Sequence, residues 1–269
     1  VATGNFKKQL GSGGSGSVFH GTLKSSATKI AVKKLEFAAG SDVQGALIHM
    51  QTEIEVLSQV CHPNMIPLLG WSDDGEAPCL VYALAAGGSL QDRLACSENA
   101  VPLTAKERVL VLSDVLRGLA YLHSQVRIIH RDVKSGNLFI DDGGSIKLGD
   151  FGLSKFHTGA STSGGMMSLV GTYQFMAPEL LEGQPRYTTA VDVYSFAVIM
   201  WECLTREEPF SGLSPMQIVA ALLRGERPSL EDVSKFAVRL PDEYVAFVAR
   251  CWRADAHERP TMEDIAPEL

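Results

Sequence analysis

An aspartate, a lysine and an asparagine lie close together in the segment HRDVKSGN, residues 130–137. Acid, base and amide side chains on one short segment are suited to polar chemistry. The apolar residues II before the segment and LFI after it are typical of short buried strands. The cluster is therefore expected at a fixed junction between two strands, and not on a drifting surface loop.

A second candidate segment is rich in glycine. Gly11, Gly13, Gly16 and Val18 form the pattern G-x-G-x-x-G-x-V. The pattern lies between two predicted strands, whereas a dinucleotide-binding fingerprint needs a strand, a turn and then a helix. Glycines let the backbone approach phosphates and offer N–H groups to their oxygens. A flexible turn explains the same residues, so this segment alone leaves both interpretations open.

Two lysines follow in the predicted strand IAVKK. Lys33 and Lys34 point to opposite faces because side chains alternate along a strand. One of them is expected to face inward, where an ammonium needs an acidic partner. Glu53 is the favoured partner because it lies one helical turn before Leu57, on the buried edge of a predicted helix, whereas Glu55 points away. The alternative is that Lys33 is an ordinary solvated strand residue.

Composition limits the classes of function. The chain has 269 residues, a mass of 29.0 kDa and 45% hydrophobic residues, which supports a full core. A net charge of −7 and a pI near 5.5 argue against nucleic-acid binding. The apolar run VDVYSFAVIMWECL is too short for a membrane span and predicts a buried helix.

Five cysteines without paired spacing predict reduced thiols and a cytoplasmic protein. The first residue is a valine and no signal-like segment follows it, so the chain is expected to belong to something longer.

The elements that must position these residues change in character along the chain. Short strands are predicted in KKQL, SVFHGTL, TKIAVKKL and PCLVYAL, with one helix from near Ser41 or Asp42 towards Val60. Beyond residue 85, helical patterns dominate, over 103–124, 191–204, 214–224 and 242–252. The stripe expected to be buried in the first of these helices consists of Val109, Leu112, Leu116 and Leu119. We therefore predict a small β-rich lobe, a hinge near AAGGS and a larger helical lobe.

The ordered set of motifs resembles the protein kinases. Beside HRDVKSGN and the glycine-rich segment, the set includes Asp150-Phe151-Gly152 and Ala177-Pro178-Glu179, and the resemblance runs from Phe6 to HERPTMEDI. It implies an α+β, bilobal protein kinase fold, with an antiparallel sheet and one helix in the N-lobe and a mainly helical C-lobe. One kinase domain is expected over residues 1–269, with the N-lobe at about 1–82, the hinge at about 83–88 and the C-lobe at about 89–269.

The resemblance implies a role for each polar residue. Asp132 would accept the proton of the attacking hydroxyl, and Lys134 would neutralise charge on the transferred phosphoryl group. Lys33, held by Glu53, would bind the α- and β-phosphates of ATP. Asn137 and Asp150 would bind Mg²⁺. Glu179 would pair with Arg259, and Asp192 would support HRDVKSGN, the catalytic loop of the family, both as structural residues.

The resemblance also implies an ATP site between the lobes. Its residues come from the glycine-rich segment, the strand of Lys33, the hinge and the segment after the catalytic loop: Leu10, Gly11, Ser12, Gly13, Gly14, Ser15, Gly16, Ser17, Val18, Ala31, Lys33, Tyr82, Ala83, Leu84, Ala85 and Phe139. Tyr82 would be the gatekeeper before the hinge. Ser15 replaces the aromatic residue usual in the family, and Phe139 replaces a leucine, so both are expected to alter nucleotide affinity.

Further features are similar to one group of kinases. ATGNF, LVYALAAGGSLQDRL and KLGDFGLS are similar to the tyrosine-kinase-like group, especially plant receptor-like kinases, Pelle and the interleukin-1-receptor-associated kinases. Lys134 and Thr172 are typical of Ser/Thr kinases. A protein substrate phosphorylated on Ser or Thr is therefore expected, with no membrane span in this segment.

The segment between Asp150 and Glu179 predicts regulation of the kinase domain by phosphorylation. Its hydroxyl residues are candidate phosphate acceptors, with Ser168 first and Thr162 or Ser163 next, while Thr158 and Ser161 are further candidates. Arg131 would pair with a phosphate there, as such arginines do in the family. A flexible polar loop is the alternative.

Two other classes of function share many of these residues. A pseudokinase would act as a scaffold or a nucleotide-binding switch, and it is disfavoured because Lys33, Asp132 and Asp150 are all present. A small-molecule phosphotransferase of kinase-like fold would not need the long segment that ends at Glu179.

Overall fold

A computed structural model describes residues 8–13, 16–35, 43–72, 78–95, 103–156, 173–184, 186–230 and 242–267. The N-terminal part is an antiparallel sheet of five strands in the order β1-β2-β3-β5-β4, accompanied by one helix. The strands are β1 (Lys8–Gly13), β2 (Gly16–Thr22), β3 (Lys29–Lys34), β4 (Leu68–Ser72) and β5 (Cys79–Ala83), and the helix is α1 (Val43–Gln59).

The predicted strands and the predicted helix are present in this part, but β4 was not predicted. Its side chains alternate between partly buried and exposed, and both Leu69 and Trp71 are on the exposed side. Because the exposed positions are as apolar as the buried ones, the strand shows no alternation of polarity along its sequence. A register shift between Leu68 and Gly70 further disturbs its pairing with β5.

The C-terminal part is mainly helical. Its helices are α2 (Leu90–Leu94), α3 (Ala105–Tyr121), α4 (Pro178–Leu181), α5 (Ala190–Thr205), α6 (Pro215–Leu223), α7 (Asp242–Cys251) and α8 (Met262–Ile265). A π-helical turn, Leu122–Val126, extends α3. Two short antiparallel pairs lie beside the cleft: β6 (Ile128–Ile129) with β9 (Lys155–Phe156), and β7 (Leu138–Ile140) with β8 (Ile146–Leu148). The bilobal kinase fold predicted from the sequence is confirmed.

Helix α5 is the centre of the C-terminal part. Every residue from Ala190 to Thr205 is buried, which confirms the prediction of a buried helix from its long apolar run. The stripe predicted for α3 is right for Leu112, Leu116 and Leu119, but Val109 is 49% exposed. Val109 lies in the second turn of α3, at the start of the helix, whereas Val111, Leu112 and the later apolar residues meet the core.

Two further contacts hold the C-terminal part together. The ion pair expected between Glu179 and Arg259 is present, with N–O distances of 2.7 and 2.9 Å and both side chains buried. The backbone of the hinge region joins β7, because Gly87 N–H donates to Ile140 O and Ile140 N–H donates to Gly88 O. Within the described ranges, no helix has both the length and the hydropathy that a membrane crossing requires.

Candidate active site

A buried ammonium joins the two parts of the chain. Lys33 lies on β3 with its side chain turned inward, and its Nζ is 3.0 Å from Glu53 Oε2 on α1 and 2.8 Å from Asp150 Oδ1. Lys34, its neighbour, is only partly buried. The strand periodicity and the helical position of Glu53 therefore predicted this pair correctly, and the interpretation of Lys33 as a solvated residue is wrong.

Opposite charges keep this cluster ionised despite its burial. Burial alone would lower the pKa of Lys33, but the charges of Asp150 and Glu53 outweigh it and raise the pKa above its usual value. Burial would likewise raise the pKa of Asp150, yet the Lys33 ammonium lowers it, with further contributions from Lys134 and His130. The Lys33 ammonium and the Asp150 carboxylate therefore stabilise each other in their charged forms.

Glu53 has a second set of partners that the sequence did not predict. The Tyr82 hydroxyl donates to Glu53 Oε1 over 2.6 Å, and the Phe151 N–H donates to the same oxygen over 3.3 Å. Burial, followed by the charge of Glu53, raises the pKa of Tyr82 well above its usual value, so the hydroxyl keeps its proton and acts as a donor. The Tyr82 side chain thus helps to fix the carboxylate that holds Lys33.

The catalytic loop is anchored by Asp192 from α5. Its carboxylate accepts hydrogen bonds from His130 N–H at 2.9 Å and Arg131 N–H at 2.8 Å, and it lies 2.8 Å from His123 Nε2. Burial would raise the pKa of Asp192, but these hydrogen bonds lower it below its usual value. The structure thus has the supporting contact that the resemblance implied.

The polar side chains of HRDVKSGN converge on Asp132. Lys134 Nζ lies 2.9 and 3.1 Å from the two carboxylate oxygens of Asp132, and Asn137 Nδ2 donates to Asp132 Oδ2 over 2.8 Å. The same amide also donates to the Asp132 backbone carbonyl over 2.8 Å. Asp132 is only 6% exposed, so a carboxylate is held in one orientation at the junction between β6 and β7.

Asn137 and Asp150 together could hold a divalent cation. The backbone brings them close, because Gly149 N–H donates to the Asn137 carbonyl over 3.0 Å. The Asn137 amide group donates through its nitrogen, which leaves its oxygen available, and the Asp150 side chain is 33% exposed although one oxygen contacts Lys33. Mg²⁺ is usually bound by one or two protein oxygens together with phosphate oxygens and water, and this pair fits that requirement.

The strands beside Lys33 carry small residues. Gly13 pairs with Gly16 across the β1–β2 hairpin, and Gly16 has φ of +127° with no room for a Cβ beside Lys34 O. Ala31 on β3 faces Tyr82 on β5, next to the hinge. A Cβ added at Gly11 would meet no atom of the described residues within 4 Å.

The Phe139 ring packs against the backbone of Gly149. A Cβ added at Gly149 would lie 2.8 Å from Cε2 of the Phe139 ring and 3.1 Å from Cγ2 of Ile66. The residue before Asp150 is therefore small because a rigid ring occupies the space beside it. Neither the size of this residue nor its contact with Phe139 was predicted.

Several expected residues lie outside the described ranges. They are Gly14 and Ser15, which lie between β1 and β2 in the sequence, Thr172, and all the candidate phosphate acceptors, namely Thr158, Ser161, Thr162, Ser163 and Ser168. Arg131, their expected partner, is described. Its guanidinium donates to Leu153 O over 3.0 Å and lies 5.2 Å from the centroid of the Tyr187 ring.

A group of hydrophobic contacts also lies beside the site. Leu57, His130 and Phe151 are buried, and the rings of His130 and Phe151 have centroids 4.8 Å apart. Leu68 packs against the same core. These contacts connect α1 with the segment that carries Asp150.

No sequence pattern indicated that Glu202 lies beside the site. Its Oε1 accepts a hydrogen bond from the Ser135 hydroxyl over 3.2 Å, which links α5 to the catalytic loop a second time. Burial, with a smaller effect from Glu208, raises the pKa of Glu202 to about 8. From its position within an apolar helix, Glu202 would be read as an ordinary core-facing residue. Only the fold brings it next to Ser135.

Comparison with known proteins agrees with the resemblance of the motifs to protein kinases. Residues 5–268 match the family model described as "Protein kinase domain". The chain is 36% identical over 263 residues to the probable serine/threonine-protein kinase drkD of Dictyostelium discoideum, covering 96% of this chain and 19% of that relative. It is 35% identical over 291 residues to the receptor-like kinase LIP2 of Arabidopsis thaliana, covering 100% of this chain and 50% of that relative. The chain therefore spans half or less of the length of these two relatives.

The contact between Phe139 and Gly149 predicts a coupled pair of substitutions. Gly149→Ala should raise the KM for ATP several-fold and cost roughly 1–3 kcal/mol of stability, because the new methyl group displaces the ring. In the double variant that also carries Phe139→Leu, most of the rise in KM and most of the loss of stability should disappear. Steady-state kinetics and thermal unfolding measure them.

Gly70→Ala is the matched control, because a Cβ at Gly70 would have no neighbour within 4 Å in the part of the chain that the structure describes. Additive effects of Gly149→Ala and Phe139→Leu would contradict the predicted contact.

The raised pKa of Glu202 predicts how stability depends on pH. A carboxyl group with a pKa of about 8 in the folded state and 4.5 in the unfolded state is most favourable to folding below pH 4.5. This contribution is lost as pH rises from 4.5 to 8, on the order of a few kcal/mol in total. Because glutamine cannot ionise, Glu202→Gln should become progressively more stable than the parent over this range.

Denaturant unfolding at pH 5, 7 and 9 measures this difference. Glu258→Gln makes the same chemical change at a side chain that is 54% exposed and serves as the control. A difference between Glu202→Gln and the parent that stays constant with pH would show that Glu202 does not have a raised pKa.

Proposed function

The chain belongs to the protein kinase family, and we propose that its residues around Lys33 and Asp132 transfer the γ-phosphoryl group of ATP to Ser and Thr hydroxyls of protein substrates. The observation that carries this proposal is the contact of Lys33 with both Glu53 and Asp150, at 3.0 and 2.8 Å, beside the cluster of Asp132. A scaffold without catalysis would not need an ammonium joined to carboxylates from both lobes and a separately anchored proton acceptor.

In the proposed reaction the substrate hydroxyl oxygen forms a bond to the γ-phosphorus while the bond to the β,γ-bridging oxygen breaks, which releases ADP. Asp132 takes the proton of the hydroxyl group. Its carboxylate is held in position by Asn137 and, before substrate enters, by Lys134. Lys134 lies close enough to turn its ammonium towards the transferred group, where it would balance the negative charge that develops there.

Lys33 would hold the α- and β-phosphates, with Glu53 fixing its position. Asn137 and Asp150 would hold Mg²⁺, which supplies positive charge to the phosphate oxygens when bound. The β1–β2 hairpin would cover the phosphates with backbone N–H groups, and Ala31, Tyr82 and the hinge would enclose the base. Catalysis on this proposal depends mainly on position and charge.

Location and partners beyond this domain are also proposals. The relative from Arabidopsis is named a receptor-like kinase. On that basis we propose that the domain acts in the cytoplasm as part of a larger protein, which could be anchored to a membrane elsewhere in its length.

An activity assay with three variants tests the proposed chemistry. Asp132→Asn and Lys33→Met should each lower phosphate transfer from Mg-ATP to a generic protein substrate by at least about 100-fold. Lys34→Met should keep the parent activity because Lys34 points away from the cleft on the same strand. Transfer of ³²P from labelled ATP and binding of a fluorescent ATP analogue are measured side by side.

An inactive parent that still binds the analogue would contradict the proposal and favour a nucleotide-binding scaffold. Transfer to a small molecule, with none to protein, would favour a small-molecule phosphotransferase.

We also propose autophosphorylation in the segment that precedes Glu179, at Ser168 first and at Thr162 or Ser163 next. Arg131, near the beginning of the catalytic loop, supports the proposal, since its guanidinium donates to Leu153 O and lies over the Tyr187 ring. Burial lowers the pKa of Arg131, but an arginine keeps its charge at neutral pH and can still pair with a phosphate.

Incubation with Mg-ATP followed by phosphopeptide mapping is expected to find phosphate within residues 158–172. Replacement of Ser168, Thr162 and Ser163 together by alanine should lower activity about 10-fold or more, because a phosphate paired with Arg131 orders the segment. The Asp132→Asn variant, which should not transfer phosphate itself, is the control. An unmodified segment, or full activity in the triple variant, would end this proposal.

A further inference from the structure

Helix α5 contacts the catalytic loop at two separate places. Near its beginning, Asp192 accepts hydrogen bonds from the backbone of His130 and Arg131. Ten residues further along the same helix, or about 15 Å, Glu202 accepts a hydrogen bond from Ser135. The two contacts lie on either side of Asp132 in the sequence.

Glu202 is placed where a carboxyl group is costly. Its side chain is 7% exposed, Ser135 is 1% exposed, and the second oxygen, Oε2, is buried with no hydrogen-bond partner among the residues that the structure describes. Burying a polar atom without a partner costs free energy, and an apolar residue at this site would stabilise the helix more. Stability therefore does not explain a glutamate here.

The surroundings of Glu202 favour its neutral form at pH 7. Burial and, to a smaller extent, the charge of Glu208 raise the pKa of Glu202. The next residue on α5 is Cys203, whose thiol is buried. Burial raises the pKa of the Cys203 thiol, and the positive charge of Arg108 on α3 lowers it. In either protonation state Oε1 can accept the hydrogen bond of Ser135, so the contact is present at neutral pH.

Ser135 is well placed to transmit position to reacting groups. It follows Lys134 directly and begins the 3-10 turn Ser135–Asn137. A displacement of Ser135 would move the Lys134 ammonium and the Asn137 amide, both of which lie within hydrogen-bond distance of Asp132. Small displacements of such groups have large effects on rate.

We propose that Glu202 is a positioning residue, which holds the second half of the catalytic loop through the Ser135 hydroxyl while Asp192 holds the first half. The proposal rests on the phosphoryl transfer proposed above. It adds a second point of attachment between α5 and the loop, and it assigns to Ser135 a function in orienting Lys134 and Asn137.

Kinetics of four variants test this proposal. Glu202→Ala and Ser135→Ala should each lower kcat about 10-fold, with the KM for ATP changed less than about twofold, because the ATP contacts of β1–β3 are not affected. The double variant should be no worse than either single one, since both remove the same hydrogen bond. Glu202→Gln keeps an acceptor oxygen and should recover most of the lost kcat.

Thr205→Val is the matched control. Thr205 is buried on α5, and its hydroxyl contacts only its own helix and Glu207 N–H among the described residues, so its loss should lower the melting temperature without lowering kcat. Melting temperatures of all the variants are measured, and assays are run at least 15 °C below the lowest of them.

The outcomes separate this proposal from the one it rests on. An active parent in which Ser135→Ala keeps kcat within twofold would overturn only the positioning role, as would additive losses in the double variant. If Glu202→Ala does not fold, Ser135→Ala and Glu202→Gln decide the question alone. A parent without phosphoryl transfer would overturn both proposals.

Discussion

A buried ammonium cannot exist without nearby negative charge, and in this protein that requirement connects the two lobes. Lys33 belongs to β3, Glu53 to α1 and Asp150 to the segment after β8, and both carboxylates lie within 3.0 Å of Nζ. Separation of the lobes would leave charges unpaired in a poorly solvated site, at considerable cost. In the proposed function the same three charges would bind the phosphates and the metal, so the contact between the lobes and the proposed chemistry share one physical cause.

The larger lobe provides the fixed reference for that cleft. Helix α5 is buried along its whole length, and it presents Asp192 and Glu202 to the catalytic loop. Its support permits strained backbone near the reacting groups: Arg131 has φ of 71° and Asp150 has φ of 61°, values that side-chain-bearing residues rarely adopt. Contacts to Asp192 and Lys33 hold both residues there, which orients the loop and the Asp150 carboxylate at the expense of local strain.

Much of the fold and site could be predicted because it depends on local patterns and strong motifs. Strand alternation indicated that one of Lys33 and Lys34 is buried, and helical periodicity selected Glu53 over Glu55. The apolar run of α5 predicted a buried helix. Where local patterns are weak the predictions failed: β4 exposes apolar residues at alternate positions, and Val109 lies at the poorly covered start of α3.

The sequence by itself determined the kinds of group in the site, their order along the chain and the elements that carry them. Only the tertiary structure decided which distant groups touch. The contacts of Tyr82 with Glu53, Ser135 with Glu202 and Phe139 with the space beside Gly149 leave no periodic trace. The reason is physical: periodicity reports which side of an element faces the core, whereas contact depends on how elements pack across the cleft, and packing is a property of the whole chain.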